Sequence, residues 1–295
     1  CQWKMTAKKL PIYSSKEAVI VETGFCDEGF SMEVESGETI RLPEVIFYEA
    51  DSKIDLDAYK LHRVYNKLYP RNATPVLYNS WLYCYDYLDI DALITQADAA
   101  KDLGIEAFMI DAGWFGEGEC GWGDSVGDWS ENLTGGPRGR LFELSEHVRA
   151  RGMTFGLWFE PERVRPGTKL WEEHPEYLLF FKGDAEDRRH NNALLDLGNP
   201  EALRWAIDTF DGLIKDGRVR VYRQDFNFAP APYWACNTEE NREGILENKH
   251  IQGYYAYWDA LIERNPGLWM DSCASGGRRN DLETMRRAVP LHYTD

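Results

Sequence analysis

No apolar run in this chain of 295 residues reaches the roughly 18 residues that a membrane-spanning helix requires, so no such helix is expected. Cysteine is sparse. The six (Cys1, Cys26, Cys84, Cys120, Cys236 and Cys273) form no CxxC pair, which argues against a zinc site or a dense disulfide framework and leaves reduced thiols as the default. The six histidines form no HxH or HExxH arrangement, and no metal or other cofactor is expected. Cations are in the minority, with 33 Lys and Arg against 50 Asp and Glu. The formal net charge of -17 works against nucleic acid, anionic membrane surfaces and acidic substrates. An initiator Met and a signal peptide are also missing, the chain opening at Cys1-Gln-Trp-Lys; the expectation is a piece of a longer protein, placed in the cytoplasm.

What the chain has in quantity is aromatic residues, 14% of the total with 11 Trp. Flat apolar rings bordered by carboxylates suit neutral, hydroxyl-rich ligands, although core packing claims part of the count. The hydrophobic pattern changes near Pro70-Arg-Asn-Ala-Thr-Pro75. Before it, alternating runs at 18–22, 29–35 and 44–48, punctuated by Gly24, Gly29, Gly37 and Pro43, predict antiparallel strands, and residues 55–69 predict a connecting helix.

Beyond Pro75 buried strands alternate with amphipathic helices. Strands are expected at 76–81, 107–111, 154–159, 267–271 and 291–294, with a further one rising from Val219 to end in Asp225. Helices are expected at 89–103, 141–150, from Pro200 capped by Asn199, at about 241–264 and at 281–288. Repeated strand–helix units with almost wholly apolar strands imply a parallel sheet covered by helices, as a doubly wound sheet or a (β/α)8 TIM barrel. The barrel is favoured because chemically capable residues follow every strand, whereas a doubly wound sheet gathers them at a switch point. The fold class expected is therefore α/β, an incomplete (β/α)8 barrel. Residues 1–70 form the end of a preceding β-domain plus a linker helix, and residues 71–295 the barrel, truncated after its sixth strand.

Arg223, Asp225 and Asn227 alternate along one face of the fourth strand and put a carboxylate beside a guanidinium and an amide. At the ends of the other strands stand Trp81, Asp111 and Trp114, then Trp158, Glu160 and Glu162, then Asp271 and Cys273, and finally Asp295. Helix capping or loop solvation explains any one of these acids. Their recurrence with tryptophans at successive strand ends points instead to a sugar site, where rings stack on the pyranose and carboxylates bind hydroxyls. Glycoside hydrolysis needs two carboxyl groups flanking the scissile bond, about 5–5.5 Å apart in a retaining enzyme. Asp225 is the expected nucleophile and Asp295, two strands on, its expected partner. Asp281 is the rival, with a simpler role as a charge at a helix N-terminus.

The motifs Ile110-Asp-Ala-Gly-Trp-Phe115, Gly127-Asp-Trp129, Gly156-Leu-Trp-Phe-Glu-Pro-Glu162, Arg223-Gln-Asp-Phe-Asn227 and Cys273-Ala-Ser-Gly-Gly-Arg-Arg-Asn-Asp281 resemble, in order and spacing, those of the family 36 glycoside hydrolases, the large α-galactosidases. The resemblance implies a retaining, exo-acting α-galactosidase with an N-terminal β-supersandwich, of which residues 1–70 would be the tail. It places the nucleophile at Asp225 and the acid/base at the end of His292-Tyr-Thr-Asp295. Three positions depart from the family pattern: Ala112 replaces the second acid of Asp-Asp-Gly-Trp, Arg223 replaces a lysine, and Leu82 replaces an acid after Trp81.

On this reading Asp225 attacks the anomeric carbon to form a β-glycosyl-enzyme while protonated Asp295 gives its proton to the leaving oxygen, and Asp295 then serves as base for the water that releases the sugar. Arg223 keeps Asp225 ionised, Asp111 and Asn227 accept or donate hydrogen bonds to the sugar, Trp81 and Trp158 wall the pocket, and Cys273 and Gly276 line its floor. The partner expected is an oligosaccharide or other glycoside, and a homo-oligomer of the longer protein is compatible with the sequence. An α-N-acetylgalactosaminidase, an α-galactosyl transglycosylase and a non-catalytic carbohydrate-binding relative stay open as alternatives. Gly116-Glu-Gly-Glu-Cys-Gly121 matches a dinucleotide fingerprint but is rejected, because Trp122-Gly-Asp-Ser is not expected to open a helix and two glutamates would repel a pyrophosphate. A thiol mechanism at Cys273 lacks a suitably partnered histidine, and a divalent cation among Asp111, Glu160, Glu162 and Asp271 lacks the lysine bases that usually accompany it.

Overall fold

Short apolar runs bounded by turn formers can be buried only if their backbone groups pair with one another, and in strand–helix alternation the pairing is parallel. In the computed structural model, which describes residues 3–12, 16–25, 30–42, 44–48, 53–71, 73–117, 121–183 and 191–292, six such runs form one sheet. They are β1 (Leu77–Asn79), β2 (Ala107–Ile110), β3 (Thr154–Phe159), β4 (Val221–Gln224), β5 (Trp269–Ser272) and β6 (Ala288–Val289), hydrogen-bonded in chain order and parallel throughout.

The helices between them begin and end where local chemistry dictates. Asp89 accepts a hydrogen bond from the Ala92 N–H at 3.1 Å and starts Ile90–Asp102, whose Ile90, Leu93, Ala97 and Ala100 are buried. Asn199 caps Pro200–Asp216 through the Glu201 N–H at 2.9 Å, with Pro200 in the first turn and Ala202, Ala206, Phe210 and Ile214 turned inward. Alternation along the strands sends Phe108 and Ile110 into the main core beneath these helices. Ala107, Met109 and Val221 form a smaller cluster with Leu77 and Trp269 on the other face.

The chain divides into two compact units, Cys1–Ala73 with Thr238–Asn248, and Thr74–Asn237 with Lys249–Asp295. The first contains an antiparallel hairpin of Trp3–Ile12 with Lys16–Phe25, a helix at Ile54–Leu68, and a two-residue strand, Ser31–Met32, paired antiparallel with Arg242–Glu243. The second contains the parallel sheet.

Several expectations need correction. The described residues 44–48 form no strand, and the run at 29–35 contributes only Ser31–Met32. β1 stops at Asn79 and Trp81 opens a one-turn helix, Trp81–Cys84, because the Asn79 side-chain carbonyl takes the Trp81 N–H at 2.8 Å. Trp122–Ser125 does form a helix, of one turn. The sixth strand lies at Ala288–Val289, ahead of the expected 291–294, of which 293 and 294 lie outside the described residues. Pro290 ends it, and the Leu291 N–H turns inward to Oδ1 of Asp271 at 2.7 Å instead of joining a ladder. An antiparallel trio, Arg163–Val164, Ala193–Leu195 and Leu178–Phe180, was not expected at all.

Candidate active site

Register brings the strand-end residues level with one another. Arg223 of β4 is paired with Trp158 of β3 on one side and Asp271 of β5 on the other, and residues in register across a parallel sheet project to one face. Arg223 is buried; its Nη1 donates to Asp271 Oδ2 at 3.0 Å and its Nε lies 3.5 Å from Asp111 Oδ2. Asp111 also accepts from Asn79 Nδ2 at 2.7 Å and from the Ala112 N–H at 2.9 Å. Burial nevertheless pushes its carboxyl above the ordinary range, against the pull of Arg223 and Asn79. The guanidinium thus sits between Asp271 and Asp111, and its bearing on Asp225 is electrostatic and secondary to these contacts.

Asp225 stands one residue beyond β4, its N–H bonded to the Phe159 carbonyl at 2.8 Å. Four N–H donors meet its carboxylate. The Phe226 N–H (2.7 Å) and the Ser275 N–H (3.1 Å) reach Oδ1, while Asn227 Nδ2 (2.8 Å) and Trp158 Nε1 (3.2 Å) reach Oδ2. Burial pushes the Asp225 carboxyl up. The Asn227 amide, the Phe226 N–H, the Cys273 thiol and the Arg223 charge together more than reverse this and hold it below the usual carboxylate range. A carboxylate kept ionised at 8% exposure can attack an electrophile that displaces its little remaining water.

Glu160 and Glu162, both fully buried, end the same strand in opposite states. Glu160 pairs with Arg163 at 2.7 Å and receives the Asn227 N–H, yet burial carries its carboxyl to about 7. Glu162 overcomes the same burial, reaching about 2, because Arg279 grips it with two bonds (2.6 and 2.7 Å) and His250 and Gln224 add bonds at 2.8 and 3.0 Å. Both glutamates are occupied structurally.

The remaining expected residues are placed as follows. Trp81 is half-buried and edge-on to Trp122, whose ring is in turn edge-on to Trp158, giving a continuous aromatic wall from Asp225 outward. Cys273 is buried beside Asp225, with its thiol pushed well up by burial. Gly276, at φ 88°, turns the loop after β5 so that its carbonyl takes the Ala274 N–H at 2.8 Å. Ala112 is buried and Leu82 is 76% exposed. Asp281 caps the short helix Leu282–Met285 through the Thr284 N–H at 2.9 Å. Asp295 lies outside the described residues. Among the described residues, no three His, Cys, Asp or Glu are grouped so as to hold a metal ion. Sequence reasoning missed Ser275, Arg279, Gln224 and His250. The first works through a backbone N–H that carries no side-chain signal, although the Cys273–Asp281 motif containing it and Arg279 was in view.

The chain is 28% identical over 267 residues to α-galactosidase Mel36A of Lactobacillus acidophilus, covering 89% of this chain and 36% of that protein. It is 32% identical over 277 residues to the bifunctional α-galactosidase/sucrose kinase AgaSK of Mediterraneibacter gnavus, covering 92% and 29%. Among solved structures, a variant of the family 36 α-galactosidase AgaA of Geobacillus stearothermophilus in complex with stachyose superposes with a TM-score of 0.81 at 26% identity, covering 92% of this chain and 38% of that one. The chain therefore spans about a third of the length of the relatives it matches. The melibiase family model matches residues 43–295, and the chain belongs to that family of glycoside hydrolases.

Proposed function

We propose that this chain carries the nucleophile of a retaining, exo-acting α-galactosidase, within a (β/α)8 barrel that the six parallel strands begin. The observation that supports it most is the Asp225 carboxylate, met by four N–H donors and held below the usual carboxylate range at the end of β4 in a melibiase. Asp225 attacks the anomeric carbon to give a β-glycosyl-enzyme, Asp295 donates the proton to the departing oxygen, and water then releases the α-sugar. Asp111, Asn227 and the aromatic wall of Trp158 and Trp81 hold the sugar.

The α-N-acetylgalactosaminide is the alternative substrate to assay, because Ala112 and Arg223 depart from the family pattern of an acid and a lysine; Ala112 is buried and Arg223 is engaged by Asp271 and Asp111. The test is an assay of the full-length gene product on aryl α-galactoside and aryl α-N-acetylgalactosaminide, with the product anomer read by NMR. Asp225→Ala should lower kcat/KM at least about 1,000-fold. Absence of turnover on both glycosides, or an inverted product, overturns the reading.

A further inference from the structure

Behind Asp225 lies a buried ionic cluster that touches no part of the sugar pocket described above. Arg279 forks onto Glu162 at 2.6 and 2.7 Å, and its guanidinium lies 4.1 Å from the ring centroid of Phe226 and 4.5 Å from that of Tyr254. Phe226 follows the nucleophile directly. Arg279 belongs to the loop that begins at Cys273, and four residues before it Ser275 makes contacts of its own, including a longer one of 3.3 Å from its hydroxyl to the Phe226 carbonyl. The Ser275 N–H donates to Asp225 Oδ1 at 3.1 Å, and its hydroxyl donates to Asn227 Oδ1 at 2.8 Å, which leaves Asn227 Nδ2 facing Asp225 Oδ2. Ser275 holds this position at φ 45°, a conformation that L-residues with a side chain adopt only when their surroundings enforce it. The loop's far end is closed by the forked pair on a fully buried glutamate that Gln224 and His250 also hold.

We propose that the Glu162–Arg279 pair is a positioning device for the nucleophile: it fixes residues 273–280 against Phe226, and so sets the Ser275 amide and, through the Ser275 hydroxyl, the Asn227 amide on the two oxygens of Asp225. Neither member reaches the reacting atoms, and each acts through Ser275. The inference rests on Asp225 being the nucleophile.

The test uses the full-length gene product and three proteins: wild type, Arg279→Lys, and the double variant Glu162→Gln with Arg279→Met, which leaves no charge buried alone. Each is assayed with an aryl α-galactoside across the acid range, with kcat and KM separated and melting followed by circular dichroism. In the double variant the acid limb of kcat/KM should move up by about one pH unit, as donors to Asp225 are lost. Its kcat should fall about 10- to 100-fold from misplacement of the nucleophile, with KM within about threefold of wild type. Arg279→Lys should fall between, because an ammonium cannot make the forked contact. A folded double variant whose acid limb stays at the wild-type position overturns the proposal. So does failure of both variants to fold, which would make the pair a requirement for folding. An inactive wild type speaks instead against Asp225 as a glycosidase nucleophile, so the two failures are distinguishable.

Discussion

Replacing Trp158 with Phe removes one hydrogen bond from Asp225, keeps an aromatic ring against Phe115, and reduces the edge-on contact with Trp122. The ring of Trp158 is stacked on Phe115 at 5.8 Å with planes 4° apart, a contact that a phenyl group retains, while the indole N–H to Oδ2, at 3.2 Å, is the longest of the four bonds to the carboxylate. A hydrogen bond to a charged acceptor contributes about 1.5–3 kcal/mol, and the length of this one favours the lower end. At 1.36 kcal/mol per unit, Asp225 should titrate about one pH unit higher in Trp158→Phe. Its folded pKa is depressed, so its contribution to stability is present above the unfolded value and is lost as pH falls through the folded one. The variant therefore loses about 1.5 kcal/mol at neutral pH from this source and nothing at a pH where the carboxyl is protonated in both states. The assay is the pH dependence of kcat/KM on an aryl α-galactoside, in which the acid limb should move upward by about one unit, whatever happens to the plateau. A limb that stays in place, or moves down, would refute the argument that donors rather than the Arg223 charge keep Asp225 ionised.

Three further outcomes follow from other parts of the molecule. Glu160 rises from 4.5 to about 7 on folding, so through that window the folded state holds a proton that the unfolded state releases, and stability falls as pH rises. Glu160→Gln should flatten this slope, read as a smaller change in urea midpoint between about pH 5 and about pH 7.5; an equal or steeper change counts against it. Gly253 packs so closely that a Cβ there would sit 1.9 Å from the Leu197 carbonyl oxygen. Gly253→Ala should lower the melting temperature by about 5 °C or more, and an unchanged melting curve would show that the backbone contact yields freely. Cys273, its thiol pushed up by burial, should resist iodoacetamide at neutral pH and react once the protein is unfolded in urea; rapid labelling of the native protein would contradict its placement.

The parallel sheet was legible because its strands are short apolar blocks separated by capped helices. Thr154–Phe159 emerged with its expected bounds, and Asn199 caps where the side-chain pattern said it would. β6 was misplaced because two residues are too few to carry a periodicity, and because Leu291, which reads as strand, follows Pro290 and gives its N–H to Asp271. Trp81 was read as strand for want of any signal that Asn79 would cap the next turn. At the site, Arg223, Asp225 and Asn227 were visible because they are neighbours in one segment. The donors arriving from elsewhere were not: Trp158 was taken for a wall and also supplies its indole N–H, and Ser275 reaches Asp225 itself through a main-chain N–H that any residue but proline could supply. Arg223 was assigned to Asp225, but its register with Asp271 and its approach to Asp111 give it to two other acids.

Ser275 carries a consequence for anyone who would stabilise this protein. At φ 45° and followed by Gly276 at φ 88°, it is the sort of position where exchange for glycine relieves backbone strain, and a search guided by dihedral angles alone would select it. The exchange would keep the amide that faces Asp225 but delete the hydroxyl that orders Asn227, and it would return conformational freedom to the chain beside Asp225. At this residue, thermal robustness and a well-ordered carboxylate pull in opposite directions, and the serine represents a settlement in favour of order.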